Sequence, residues 1–223
     1  MRIAVVSASL SESSSGVALA KQVIAQINLA RPGGTDPVEV DWVDLRELGH
    51  GLLDFLYSNV PAPAVRAAYK QVEEADLILA VTPTYQASYS GLFKLFWDLL
   101  PEGAIRGKRV LLTATGGTGR HGLMIDHTLR PLFAYLGAVP LPTALFAATQ
   151  DWGDPGFESE VGFEESLDKR IIRAVEEVWS GTTRSEDRSA TSAPESADNP
   201  TTRASAVDAF PGFVDFDSLL NGN

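Results

Sequence analysis

The chain has 223 residues, 44% of them hydrophobic, and its 29 acidic residues against 18 lysines and arginines give a formal net charge of −11. It has no cysteine, which excludes disulfides, thiolate metal sites and cysteine nucleophiles. Without a basic cluster or an apolar run long enough to span a bilayer, the sequence predicts no nucleic-acid partner and no membrane partner. We therefore expect a cytoplasmic protein.

Short apolar strands alternate with amphipathic helices along the first 180 residues. Periodicity and turn residues predict strands over 3–7, 38–43, 76–81, 108–115 and 138–148, of which 38–43 lies nearer the sheet edge. The same criteria predict helices over 17–27, 64–74, 91–100, 122–136 and 164–179, with a kink at Pro131. Residues 45–60 show no clear pattern and are predicted to be irregular.

This alternation predicts the α/β class, with a parallel sheet covered by helices on both faces. Five strand–helix units within residues 1–180 match a flavodoxin-like doubly wound five-stranded sheet of order 2-1-3-4-5. Residues 181–206, rich in Ser, Thr, Ala, Pro and charge, are predicted to form a flexible linker. Residues 207–223 carry three phenylalanines and predict a tail that docks on its own domain or a neighbouring subunit, in preference to a partner-recognition motif.

Three unusual loops leave the carboxyl ends of predicted strands, which is where open parallel sheets bind ligands. The first, 7–16, is a run of small residues and serines before a helix, and it predicts a cradle for a terminal monophosphate. It lacks the glycine fingerprints of dinucleotide domains and P-loop enzymes. The alternative is a serine-rich helix cap with no ligand.

The other two loops predict a site for a flat ring. Residues 82–91 contain a rigid Pro-x-Tyr turn, and residues 115–122 contain glycines that let the backbone approach a ligand closely. Taken singly, the tyrosines are as typical of ordinary packing residues as of a ligand site. The alternative for the glycines is a flexible loop. His121 and His127 lack a third ligand at suitable spacing, so no metal site is predicted. Together the three loops predict a mononucleotide with a planar ring.

At these residues the sequence resembles the NAD(P)H-dependent FMN reductases of flavodoxin fold, particularly those that supply reduced flavin to two-component monooxygenases. The resemblance runs from Met1 to about Ala148, and its most specific matches are 82–91, 114–117, 125–126 and 129–132. It implies that the FMN phosphate is held by Ser9, Ser11, Ser14 and Ser15. It implies that the isoalloxazine lies along Pro83, Thr84, Tyr85 and Gln86. It implies that the pyrimidine side of the ring is contacted by Gly116, Gly117 and Thr118.

The resemblance also implies the chemistry. Hydride passes from NADH or NADPH to FMN, and no side-chain acid or base is required, so we assign no catalytic residue. Many family members carry a basic residue where this chain has Ser11, so neutral donors and the helix dipole would hold the phosphate and FMN would behave as a substrate.

The expected partners are flavin and nicotinamide nucleotides, a flavin-dependent monooxygenase, and further copies of the chain in a homodimer or homotetramer. Residues of helix 91–100, among them Phe93 and Trp97, suit either a subunit contact or the core. Two alternatives stay open at this point: an FMN-containing quinone or azo reductase, and a flavodoxin-type electron carrier without NAD(P)H activity.

Overall fold

A computed structural model describes residues 1–33, 36–152 and 165–189, of which 181–189 are described by their backbone alone. The chain divides into two units, Asp187–Asn223 and the compact unit Met1–Glu186. Its strands are β1 Arg2–Ser7, β2 Glu39–Asp44, β3 Leu77–Tyr85, β4 Ser88–Tyr89, β5 Arg109–Gly116, β6 Val139–Pro140 and β7 Leu145–Ala148.

The sheet is parallel, in the order β2-β1-β3-β5, and both β6 and β7 pair with the far side of β5. Among the described strands, the short strand β4 alone runs antiparallel, as the return arm of a hairpin with β3. The predicted flavodoxin-like order 2-1-3-4-5 is confirmed, with β2 at the edge. The fifth predicted strand is interrupted between β6 and β7, where Pro140 and Pro142 have no N–H to donate to β5.

Six α-helices are described: α1 Ser15–Leu29, α2 Leu45–Ser58, α3 Pro63–Glu74, α4 Gly91–Asp98, α5 Arg130–Tyr135 and α6 Leu167–Ser189. The irregular segment predicted for residues 45–60 is wrong, because α2 occupies it. Asp44 caps its N-terminus and Asn59, at φ 57°, ends it in the left-handed conformation. Its core face, Leu45, Leu48, Leu52 and Phe55, has helical spacing, but Gly49 and Gly51 in its interior disfavour a helix and weaken the prediction from sequence.

The helix predicted over 122–136 is wrong in form. The chain makes a short 3₁₀ turn at Gly119–His121 and a π-helical turn at Ile125–Leu129 before α5 begins. Pro131 stands in the first turn of α5, where its missing N–H leaves no hydrogen bond unmade within the helix. The observed irregularity is the π-helical turn Ile125–Leu129, which lies just before Pro131.

The last helix ends later than the sequence predicts. Helix α6 begins at Leu167 and continues to Ser189, ten residues beyond the predicted end at Trp179. The first nine residues of the predicted linker 181–206 are therefore helical, and the sequence has no proline there to stop the helix. The remainder of that linker and the predicted docking tail 207–223 lie outside the described residues.

Two hydrophobic cores lie on opposite faces of the sheet. Alternate residues of β1 enter each of them, Ile3 and Val5 on one face and Ala4 and Val6 on the other. Helices α1 and α6 cover the first face, and helices α2 to α5 cover the second. The core of the second face includes the buried side chains of Phe93, Phe96 and Trp97. No helix in the described part of the chain combines the length and the apolar character that crossing a bilayer requires.

Candidate functional site

The register of the sheet brings the three predicted loops to one edge. Ser7 at the end of β1 pairs with Val81 of β3, and Val81 pairs in turn with Thr113 of β5. The backbone N–H of Ala8 donates to the carbonyl of Val81 at 2.9 Å, which ties the first loop to β3. The loops that follow β1, β3 and β5 therefore leave the sheet side by side.

The first loop places its serines at two depths. Ser9 is buried beneath Gly16, where an added Cβ would lie 2.5 Å from the Ser9 hydroxyl oxygen. Ser14 caps helix α1 by accepting a hydrogen bond from the backbone N–H of Val17 at 3.2 Å. The other two serines that are predicted to hold the phosphate, Ser11 and Ser15, are exposed. The first N–H groups of a helix lack intrahelical partners, so hydroxyl and amide donors surround the mouth of this loop.

The second loop is a tight hairpin. Strands β3 and β4 pair through Thr84 with Tyr89 and Tyr85 with Ser88. The turn residues Gln86 and Ala87 have φ of 49° and 63°, which is the backbone of a type I′ turn. Tyr85 and Gln86 are exposed at the tip, whereas Pro83 and Thr84 are half-buried nearer the sheet. The hairpin thus presents a rigid edge of backbone and side chain at the carboxyl end of β3.

Thr84 and Gly116 meet where the second and third loops leave the sheet. A Cβ added to Gly116 would lie 3.5 Å from the Cβ of Thr84 and 2.8 Å from Cζ of Phe146, so only glycine fits there. The Thr84 hydroxyl oxygen is buried and has no hydrogen-bond partner among the described residues. Buried polar groups are nearly always paired, so this hydroxyl fits a group that supplies a hydrogen bond from outside the chain.

The third loop leaves open space next to this pair. A Cβ added to the exposed Gly117 would meet no heavy atom within 4 Å. Thr118 begins the turn Gly119–His121 by accepting a hydrogen bond from the backbone N–H of Arg120 at 3.4 Å. Gly116 therefore ends β5, and Gly117 and Thr118 follow it beside the hairpin, with room for a flat molecule to approach.

Sequence reasoning missed a charged pair at this edge. Arg46, at the start of α2, lies 3.2 Å from Oε1 of Glu12 in the first loop, measured from Nη2. Asp44 also contacts this guanidinium, and the hydrogen bond to Glu12 with the two negative charges raises the pKa of Arg46. The signal in the sequence is Asp44, a residue type that caps helices, which stands just before the segment 45–60 that the sequence predicts to be irregular.

A separate groove of about 870 Å³ lies between α4 and α5. Trp97, Ile105 and Leu132 are among its lining residues. It includes none of the serines, hairpin residues or glycines predicted to bind flavin, so the candidate site is the carboxyl edge of the sheet and not this groove.

The fold and the loops at its carboxyl edge define a flavodoxin-like oxidoreductase. An oxidoreductase from Corynebacterium diphtheriae has a solved structure that is similar to this one, with a TM-score of 0.74 and 33% identity over 82% of this chain and 97% of that chain. The apo form of the NADH:FMN oxidoreductase EMOB has a TM-score of 0.64 and 28% identity over 78% of this chain and 86% of that chain.

Sequence comparison identifies the family. The model for NADPH-dependent FMN reductase matches residues 1–153. The NADH-dependent FMN reductase SfnF of Pseudomonas putida is 37% identical over 178 residues, which is 80% of this chain and 91% of that protein. An FMN reductase (NADPH) of Escherichia coli strain K12 is 37% identical over 126 residues, 56% of this chain and 65% of that protein. The chain belongs to the NADPH-dependent FMN reductase family.

Membership confirms the predicted family, enzyme class and nucleotides: this is an NAD(P)H-dependent FMN reductase. The residues at the sheet edge fit FMN in three respects. Hydroxyl and amide donors lie at the N-terminus of α1, the buried hydroxyl of Thr84 has no hydrogen-bond partner within the described part of the chain, and the exposed Gly117 leaves open space.

Proposed function

We propose that the three loops divide the binding of FMN among them as the sequence predicts. The phosphate is held at the first loop by Ser9, Ser11, Ser14 and Ser15. The ring lies along Pro83, Thr84, Tyr85 and Gln86, and its pyrimidine side faces Gly116, Gly117 and Thr118. The support is that these loops follow neighbouring strands and share one edge of the sheet.

FMN supplies the redox chemistry, because its ring accepts the hydride of the nicotinamide. The work of the chain is to hold and orient. When FMN is bound, the backbone N–H groups of Gly116 and Gly117 would face the pyrimidine side of the ring and would stabilise negative charge there. The open space beside Gly117 leaves room for the nicotinamide to stack. No side chain needs to move a proton, and we assign no catalytic residue.

The observation that best supports this arrangement is the buried hydroxyl of Thr84, which has no hydrogen-bond partner among the residues that the structure describes. If a bound flavin supplies its partner, the substitution Thr84→Val should weaken FMN binding about three- to tenfold, the value of one ordinary hydrogen bond. The same substitution should leave thermal stability unchanged or slightly higher, since no intramolecular hydrogen bond is lost. Titration with FMN, followed by quenching of flavin fluorescence, measures the first effect and a melting curve the second.

Thr113→Val is the matched control. The Thr113 hydroxyl already donates to the carbonyl of Ala80 at 2.8 Å within the sheet. Its removal should lower stability by about 1 kcal/mol and leave FMN affinity as it was. Equal FMN affinity for the Thr84→Val variant and the unaltered protein would remove Thr84 from the site.

We further propose that FMN is a substrate, which leaves in reduced form to serve a flavin-dependent monooxygenase. The support is the composition of the first loop, since residues 7–16 themselves contain no lysine or arginine and hold Glu12, whose charge opposes retention of the phosphate. The protein should purify nearly colourless and should oxidise NADH or NADPH only when FMN is added. A yellow protein with ping-pong kinetics toward a quinone would instead identify a reductase with resident FMN.

Location and assembly are also proposals. The absence of cysteine agrees with a cytoplasmic protein. A homodimer or homotetramer agrees with exposed apolar side chains such as those of Leu53, Leu56 and Tyr135. The aromatic residues of α4 do not provide that contact, because Phe93 and Trp97 are buried in the core of the subunit. Light scattering coupled to gel filtration measures the mass, and a monomer at micromolar concentration would contradict the assembly.

A further inference from the structure

An ion pair joins the first loop to the start of helix α2. Nη2 of Arg46 lies 3.2 Å from Oε1 of Glu12 and 3.1 Å from Oδ2 of Asp44. Asp44 also accepts a hydrogen bond from the backbone N–H of Arg46 at 2.9 Å. Because Asp44 pairs with Ser7 in the sheet, these charges lie at the edge where the proposed phosphate site begins.

The charge of the loop itself is unfavourable for a phosphate. Residues 7–16 hold one acidic residue, Glu12, and no lysine or arginine. A phosphate monoester carries a charge of about −1.5 to −2 at neutral pH, so it is repelled by Glu12 unless a cation is near. Of the ion pairs among the described residues, that of Arg46 is the one that reaches this loop.

The carboxylates of Glu12 and Asp44 differ in how firmly they bind Arg46. The side chain of Glu12 is 87% exposed, whereas those of Arg46 and Asp44 are 32% and 36% exposed. An ion pair this open to water contributes little stability. Asp44 is in addition fixed by its hydrogen bond at the cap of α2. Glu12 is therefore the partner that is released most easily, while Asp44 keeps the guanidinium beside the loop.

Resting on the proposed function, we propose that Arg46 recognises the flavin phosphate and that Glu12 competes with the phosphate for it. Arg46 takes the place of the basic residue that the loop lacks at Ser11, and its planar fork of donors suits a phosphate group. Riboflavin has the same ring without the phosphate, so the competition leaves its binding unchanged. Glu12 and Arg46 thus set how strongly the site prefers phosphorylated flavins.

Parallel titrations of the full-length protein with FMN and with riboflavin, followed by fluorescence quenching, test this assignment. Arg46→Gln should weaken FMN binding about tenfold, as expected for a lost charge-assisted hydrogen bond, and leave riboflavin binding unchanged. Glu12→Gln should strengthen FMN binding about threefold, since the competing pair is exposed, and again leave riboflavin unchanged. Added salt should reduce both effects, because it screens the charges.

The matched controls are Lys70→Gln and Glu73→Gln, which make the same changes of charge on exposed positions of α3. That helix ends at Glu74, just before β3 begins, so both residues lie toward the opposite edge of the sheet. Neither control should alter the ratio of FMN affinity to riboflavin affinity. A control that changed this ratio as much as Arg46→Gln would attribute the effect to net charge and overturn the assignment.

The remaining outcomes are equally decisive. If Arg46→Gln weakened both flavins alike, Arg46 would only position the loop, and phosphate recognition would be refuted. If Glu12→Gln weakened FMN binding or left it unchanged, the competition would be refuted. If the unaltered protein bound neither flavin, the proposed function would fail, whereas binding of both flavins with an unchanged ratio in Arg46→Gln would overturn this inference alone.

Discussion

The substitution Gly16→Ala tests the packing beneath the first loop. The added Cβ would lie 2.5 Å from the Ser9 hydroxyl oxygen and 3.3 Å from Cγ1 of Val81, both of which belong to buried residues. Cβ atoms do not approach other heavy atoms that closely, so the Ser9 hydroxyl must rotate away or α1 must shift. Overpacking of this kind costs about 1–2 kcal/mol, which exceeds the gain of replacing glycine by alanine in the first turn of a helix.

Replacing glycine by alanine returns about 0.5 kcal/mol of that cost, which leaves a net loss of about 0.5–1.5 kcal/mol. For a domain of this size each kcal/mol shifts the melting temperature by about 2–4 °C, so Gly16→Ala should melt about 1–6 °C lower than the unaltered protein. Most of that loss should disappear in the Ser9→Ala background, because the Ser9 Cβ lies 3.8 Å from the added atom. Gly91→Ala is the matched control: Gly91 also begins a helix, and an added Cβ there meets nothing within 4 Å.

Differential scanning calorimetry of the four proteins of this cycle, with Gly91→Ala beside them, measures the shifts. FMN titration of the same samples should show weaker binding in Gly16→Ala, because the displaced hydroxyl belongs to the proposed phosphate site. A Gly16→Ala protein as stable as the unaltered one would refute the reasoning. The reasoning would also be refuted if Gly16→Ala lowered the melting temperature equally in the unaltered protein and in the Ser9→Ala background. The effects of the two substitutions would then be independent.

Three further substitutions have expected outcomes. The carboxylate of Asp151 lies 2.8 Å from the guanidinium of Arg170, and the two side chains are only 10% and 7% exposed. Asp151→Asn should therefore lower the free energy of unfolding, measured by urea denaturation, by about 3 kcal/mol. A loss below about 1 kcal/mol would contradict a buried ion pair. Burial raises the pKa of Tyr69 above its ordinary value of 10.0, so above pH 10 the unfolded state loses this proton first and stability falls with pH. Tyr69→Phe should flatten that fall in melting curves between pH 9 and about 11, and an unaltered slope would exclude Tyr69 as its source. Ala87→Gly should raise the melting temperature by about 2–4 °C, because the φ of 63° strains alanine by about 1 kcal/mol, and a lower melting temperature would show that the turn is not strained.

The central sheet could be predicted because its signal is local. Strands buried on both faces are continuous apolar runs, and β1, β3 and β5 were found on that basis within a few residues of their observed ends. Helix α2 escapes prediction because Gly49 and Gly51 stand in its interior, where glycine disfavours a helix, although Leu45, Leu48 and Leu52 keep the helical spacing. Propensity and period conflict in such a segment, and the packing of its apolar face against the sheet decides its structure.

The candidate site, too, could be predicted only in part from the sequence. Its position at the carboxyl edge follows from the topology alone, since parallel strands end together. Its charge does not follow from the topology, because Glu12 and Arg46 lie 34 residues apart in the sequence. Arg46 lies at the start of α2, directly after β2, and the connection there is not one of the three predicted loops. Strand β2 is parallel to β1 and ends at the same edge, where Asp44 pairs with Ser7. The charge of such a site can therefore be inferred only from the residues that follow all the strands at that edge, including those that follow the edge strand β2.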